Sequence, residues 1–172
     1  VDANSKGNGG CTPVYFAAQN GHDAIVRTLL DAGADKDVKN EVGSTPLYIA
    51  AQHGHGAVVR ALLDAGADKA VKNKVGSTPL YIAAQNDRVG CVKRLLAQDG
   101  VDVNQTSEEG GTPLYKACEK ANVRSVKLLL AARGARINQA NKYDTTPLNI
   151  ACQNGSLRCV KLLLAHKDIR VN

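Results

Sequence analysis

The sequence predicts an all-α solenoid of stacked helix-turn-helix units with hairpin loops projecting to one side. Two observations carry that expectation. First, Thr-Pro recurs at Thr12-Pro13, Thr45-Pro46, Thr78-Pro79, Thr112-Pro113 and Thr146-Pro147, at intervals of 33, 33, 34 and 34 residues. A fixed period of this size marks an array of small supersecondary units. Second, 44% of the 172 residues are apolar but only 3% are aromatic, with no Trp and one Phe. That is too little bulk for one thick core, and enough for thin layers of Ala and Leu.

Each unit can be read from its start. Thr is a good helix N-cap, because its hydroxyl accepts from a free backbone N–H of the first turn. Pro suits the first helical position, where no N–H is needed. A short helix is therefore expected at every Thr-Pro. It carries a small pair (Ala17-Ala18, Ala50-Ala51, Ala83-Ala84) that allows close approach of a neighbour. Gly21, Gly54 and Gly155 break the chain after it. A second helix follows, with Ile25, Val26, Leu29 and Leu30 on one apolar stripe. A Leu pair recurs in each such helix: Leu29-Leu30, Leu62-Leu63, Leu95-Leu96, Leu129-Leu130 and Leu163-Leu164. Gly33 and Gly66 serve as C-terminal caps, and the polar stretch 35–44 forms an extended loop or hairpin.

The run Gly43-Ser44-Thr45-Pro46-Leu47-Tyr48-Ile49-Ala50-Ala51-Gln52-His53-Gly54-His55, with Val58-Val59, Leu62-Leu63 and Gly66-Ala67-Asp68, resembles the ankyrin-repeat family. The resemblance extends along essentially the whole chain. It implies one ankyrin-repeat domain of five repeats, at approximately 7–39, 40–72, 73–106, 107–140 and 141–172, with residues 1–6 closing a preceding repeat. Val1-Asp2-Ala3-Asn4 and Ile169-Arg170-Val171-Asn172 match Val101-Asp102-Val103-Asn104 in phase. With no Met present, the chain reads as a piece of a longer protein, uncapped at both ends. An apolar end face around Leu162, Leu163 and Leu164, and end-to-end self-association, are then expected.

Several positions depart from the pattern. Tyr15, Tyr48, Tyr81 and Tyr115, and Asn149, stand where the family usually has His. Each Tyr ring is expected against its helix pair, with a polar partner for the hydroxyl. Asp87-Arg88 and Ala121-Asn122 replace a Gly-His turn, and Asp144 replaces a hairpin Gly. A left-handed backbone there costs a non-glycine residue about 1 kcal/mol. The last three units carry one extra residue, at Asp99-Gly100, Arg133-Gly134 and Lys167-Asp168, which predicts longer second helices.

No residue set points to catalysis. His22 and His55 occupy Gly-His turns, and His53 and His55 lack further ligands nearby, whereas zinc wants four. Cys118 and Cys152 replace the second small residue, and Cys91 and Cys159 replace a core position of the second helix, so packing explains them. Cys11 is expected at the surface. Five Cys without a CxxC pair argue against a disulfide framework. No enzyme activity, metal or cofactor is therefore expected, and a cytoplasmic or nuclear location follows from the Cys usage. No run is long and apolar enough to span a membrane. Asn104-Gln105-Thr106 and Asn154-Gly155-Ser156 match the glycosylation sequon by chance. The resemblance also brings Asn104 close to the pattern of ankyrin asparagines that are hydroxylated.

The resemblance implies a protein-protein interaction module that binds through hairpin tips and a concave groove. The candidate residues are Lys39, Glu41, Val42, His53, Lys72, Lys74, Val75, Asn86, Glu108, Glu109, Glu119, Lys142 and Tyr143. They vary between units while the frame repeats, as a recognition surface requires. Lys39, Lys72 and Lys74 suggest a basic part beside an acidic one at Glu108, Glu109 and Glu119, with Tyr143 as aromatic anchor. Charge reversal at Lys72 and Lys74 is expected to slow association at low salt. Two alternatives stand beside this reading. One is a structural spacer without a ligand. The other is polyanion or nucleic-acid binding by a basic stripe at Arg27, Arg60, Lys93, Lys127 and Lys161, with a formal net charge of +6 behind it. The scarcity of aromatic residues for base stacking speaks against nucleic acid.

Overall fold

A computed structural model describes residues 3–171. Among them are ten α-helices in five antiparallel pairs: α1 (Pro13–Gln19) with α2 (Asp23–Asp31), α3 (Pro46–His53) with α4 (Gly56–Asp64), α5 (Pro79–Gln85) with α6 (Val89–Leu96), α7 (Pro113–Glu119) with α8 (Val123–Leu130), and α9 (Pro147–Gln153) with α10 (Leu157–Leu164). A 3-10 turn at Asn8–Gly10 precedes them. The odd-numbered, inner helices pack on one another in chain order, and the even-numbered, outer helices form a second row behind them.

Helices this short are marginal alone, so each is set by its cap and its neighbours. All five inner helices start as expected, with Pro in the first turn. The hydroxyls of Thr12, Thr45, Thr78, Thr112 and Thr146 accept from the backbone N–H three residues on, at 3.1–3.4 Å. Asn149 is exposed and bonds back to Thr146 as a capping box, so it does not fill the place of the Tyr rings. Leu47, Leu62, Leu80, Leu95, Leu129 and Leu163 are sealed in the core, together with the small pairs that let inner helices approach.

Four expectations about the frame are corrected. Ile25 is 51% exposed, although Val58, Cys91, Ser125 and Cys159 at the same phase are buried. That flank faces the outer helix of the preceding unit, and no outer helix precedes α2 among the described residues. Of the terminal Leu run, Leu163 is buried, Leu162 half-buried, and only Leu164 exposed. The extra residue shortens the outer helices: α6, α8 and α10 have eight residues where α2 and α4 have nine. In α2 and α4, Gly33 and Gly66 sit left-handed directly after the helix and let Ala34 and Ala67 bond back to Leu29 and Leu62. Without Gly at that place the chain leaves the helix earlier, and the added residue widens the turn. Finally, no strand occurs among the described residues; the loops between units pass through successive turns, in the first at 32–33, 36–37 and 41–42.

Asp87, Ala121 and Asp144 adopt positive φ of 49°, 55° and 55°. Asp87 is compensated across the joint, because its carboxylate accepts from the Ser125 hydroxyl at 2.7 Å and the Ser125 N–H at 3.2 Å. Ala121 has a methyl group in a glycine conformation.

Two hydrogen-bond ladders lock the units in register. At the inner turns, His55 Nε2 lies 2.9 Å from the Gln19 carbonyl, Arg88 Nε donates to Gln52 at 3.0 Å, and Asn122 Nδ2 donates to Gln85 at 2.8 Å. A carbonyl can only accept, so the His55 ring carries its proton on Nε2. Beyond the outer helices, Asn4, Asp37, Asn104 and Asn138 accept from the N–H of Asp35, Asp68, Arg136 and Arg170 at 2.7–2.9 Å. Ala70 holds that phase in the second unit and cannot accept.

Replacing Ala121 by Gly should raise stability by about 1 kcal/mol. Replacing Ala70 by Asn should restore the missing rung at Asp102 and add roughly 0.5–1.5 kcal/mol. Urea unfolding of each variant against the parent measures both.

Candidate functional site

The tips are built by side chains. Asn40 Oδ1 accepts from Val42 N–H at 3.1 Å and Ser44 N–H at 2.9 Å, and Asn73 and Asn141 repeat the arrangement. Consecutive tips then stack through single backbone bonds: Lys74 N–H to Val42, Glu108 N–H to Val75, and Lys142 N–H to Glu109. The stacking sets Glu41, Lys74, Glu108 and Lys142 in one row, and Val42, Val75, Glu109 and Tyr143 in the next. Val42, Val75 and Tyr143 are 57%, 58% and 74% exposed.

The charge pattern differs from a basic block beside an acidic one. The Lys39 ammonium lies 3.4 Å from the Lys72 carbonyl, and the Lys72 ammonium donates to the Thr106 carbonyl at 2.7 Å. Both tie one loop to the next, so the tip row alternates in sign. Of the other candidates, His53 is exposed with its ring stacked on His55 at 6.0 Å, and Asn86 donates to the Gln52 carbonyl at 3.4 Å. Glu119 pairs with Lys116 at 2.6 Å and Lys120 at 3.5 Å. Asn104 Nδ2 bonds the Gly134 carbonyl at 2.8 Å while its Oδ1 accepts from Arg136, so both ends of the amide are engaged.

A recess of about 250 Å³ opens in the groove between the third and fourth units. The candidates Val75, Glu108 and Glu109 line it, together with Ser107 of the same tip and with Tyr81 and Lys116, which sequence reasoning did not place at a binding site. One substitution in its lining breaks a pattern set by the earlier units. Asn40 Nδ2 donates to the Tyr15 hydroxyl at 3.1 Å, and Asn73 bonds Tyr48 in the same way. Ser107 stands at this phase in the fourth unit, too short to reach Tyr81, and its Oγ is buried with no hydrogen-bond partner. The fourth unit departs elsewhere too. Lys116 replaces Ile49, Ile82 and Ile150, and Glu119 replaces Gln52, Gln85 and Gln153. Comparing the units with one another shows these differences; the resulting cavity requires the fold.

Acidic and basic groups meet at the recess, with Glu108, Glu109 and Lys116 all in its lining. Burial works against the Lys116 ammonium, yet its bond to Glu119 and the nearby Tyr81 and Glu109 raise its pKa above the ordinary lysine range. Burial, with Glu119 next, likewise raises the Tyr115 phenol. The thiols of Cys91 and Cys118 are pushed up by burial and sit in the core with Cys159, as packing residues do. Cys152 is exposed and Cys11 half-buried, which reverses the expectation for the pair. On the outer row, Arg60 and Asp64 pair at 3.6 Å on the open surface, where such a pair contributes little. No salt bridge joins Arg27 to Asp31 among the described residues. Among those residues no helix is long and apolar enough to cross a membrane.

Burial, followed by neighbouring Cys11 and Tyr48, pushes Tyr15 up to about 12, and burial followed by Tyr81 does the same to Tyr48. The folded chain thus holds both phenols protonated. Their contribution to stability is complete below pH 10 and is lost as pH rises from 10 toward about 12. The urea midpoint should fall across this window, and Tyr48→Phe should flatten part of the fall.

The family model for ankyrin repeats, built on three copies, matches residues 1–73, 16–107 and 80–172. No curated protein sequence matches the chain at a significant level. Ankyrin repeats generally act as protein-protein interaction modules. The capped helix pairs, the two register ladders and the matched segments agree, and the chain belongs to the ankyrin-repeat family.

Proposed function

We propose that the chain is a protein-interaction module that holds an extended segment of a partner along its tips and inner helices, with a basic side chain of that segment in the recess between the third and fourth units. The observation that carries this reading is the recess itself, cut by Ser107 and rimmed by Glu108 and Glu109. An arginine stem would lie against Val75 and Tyr81, and its guanidinium would face the two carboxylates, the geometry in which arginine pairs best. Tyr143, far out on the next tip, supplies an aromatic anchor beside it. Five free cysteines suit a reducing compartment, so we place the encounter in the cytoplasm or nucleus.

Peptide display against the intact chain tests this. Selected peptides should share an Arg or Lys. Ser107→Asn should restore the turn bonds and fill the recess, so that variant should melt no lower than the parent yet bind about tenfold more weakly or worse. Glu108→Gln with Glu109→Gln should weaken binding most at low salt. A spacer would yield no binders, and binders indifferent to Ser107→Asn and Tyr143→Ala would refute the groove.

A further inference from the structure

The outer row carries a second surface, on the side away from the groove. Where the end of α6, the loop 97–103 that follows it and α8 meet lies a furrow of about 600 Å³ whose lining includes Lys93, Leu96, Ala97, Leu128, Ala131 and Arg133. Between α8 and α10 runs another of about 390 Å³, lined by Lys127, Leu130, Ala131, Leu162, Ala165 and His166. The second repeats the helix-end part of the first in phase, without the loop residues, and the two meet at Ala131.

The first two units are built otherwise. Their furrow, of about 260 Å³, carries Asp31 and Asp64 where the later units have Ala97, Ala131 and Ala165. It carries Ala61 where the later ones have Leu128 and Leu162. The floor therefore becomes more apolar toward α10, and the carboxylates that face Arg27 and Arg60 are gone. Lys93, Lys127 and Arg133 are exposed, and none of them is ion-paired among the described residues. Asp99 is the single acid lining either later furrow. Ala97, Ala131 and Ala165 are exposed, so the loss of charge is open to a partner.

We propose that this double furrow docks an acidic amphipathic helix of another protein. Packed helices lie about 8–10 Å apart, so successive furrows are spaced by about that distance. Seven residues of α-helix rise about 10 Å. A helix laid along the array thus places apolar side chains i and i+7 in the two furrows, while Glu or Asp on its flanks meets Lys93, Lys127 and Arg133. Affinity comes from apolar burial, and the charges select the partner and speed its approach.

The probe is a labelled, Ala-based helical peptide of about five turns with two Leu seven residues apart and Glu on both flanks. Fluorescence anisotropy with the full chain should show saturable binding. Ala97→Asp with Ala131→Asp installs the residues of the first two units at exposed positions; it should cost about tenfold or more in affinity with an unchanged circular-dichroism spectrum. Lys93→Glu with Lys127→Glu should do the same, and a Lys-flanked peptide should fail on the parent chain. Amide shifts on peptide addition should map to α6, α8 and α10. Ser107→Asn should leave this binding intact, which separates the furrows from the groove. Absence of binding, binding untouched by the Asp substitutions, or retention by phosphatidylserine vesicles without peptide binding would each overturn the proposal.

Discussion

Every unit of this protein leaves work for the next one. An inner helix of seven or eight residues cannot bury its apolar side, and the carbonyls at its end lack partners. The following unit supplies both: Leu and Ala against the apolar side, and His55, Arg88 or Asn122 to the carbonyls of Gln19, Gln52 and Gln85. Buried polar groups are costly when unpaired, so the neighbour's register is specified by chemistry as well as by shape. The rows of helices, the stacked tips and the grooves between them all follow from that dependence.

Such a frame tolerates local losses because each is confined to one joint, and stability in a repeat array sums over units and their interfaces. The fourth unit collects several. Ser107 drops the turn bonds that Asn40, Asn73 and Asn141 make, Lys116 brings a charge where Ile stands in the second, third and fifth units, and Ala121 adopts a strained backbone. Ser107 and Lys116 both line the hollow on the groove side, where Lys116 is held by Glu119. Departures from the repeating frame gather there, and this is where the binding site is proposed. The outer row varies independently: Asp gives way to Ala after the second unit, on helices whose opposite face keeps the same Val and Leu. One array can therefore present two surfaces of opposite character.

Much of this was legible in the chain. Thr and Pro specify where each inner helix begins because capping and a fixed φ are properties of the residue and its nearest neighbours, and all five starts lie where they were expected. The left-handed positions at Asp87, Ala121 and Asp144 were visible as missing glycines in a periodic pattern. The ends of the outer helices were misjudged because a helix stops where its C-terminal cap can form, and Gly placed one residue late cannot provide it. Lys39 and Lys72 read as free charges, since nothing in the linear chain shows that an ammonium one loop away meets a carbonyl.

The sequence by itself determined period, caps, helix order and family, since these rest on short-range chemistry repeated five times. The tertiary structure alone decided which polar side chains are spent holding units together, which face outward, and where a hollow opens. Those outcomes depend on contacts between residues about one period apart, and a single Asn-to-Ser difference acquires meaning only when the Tyr it fails to reach is placed opposite.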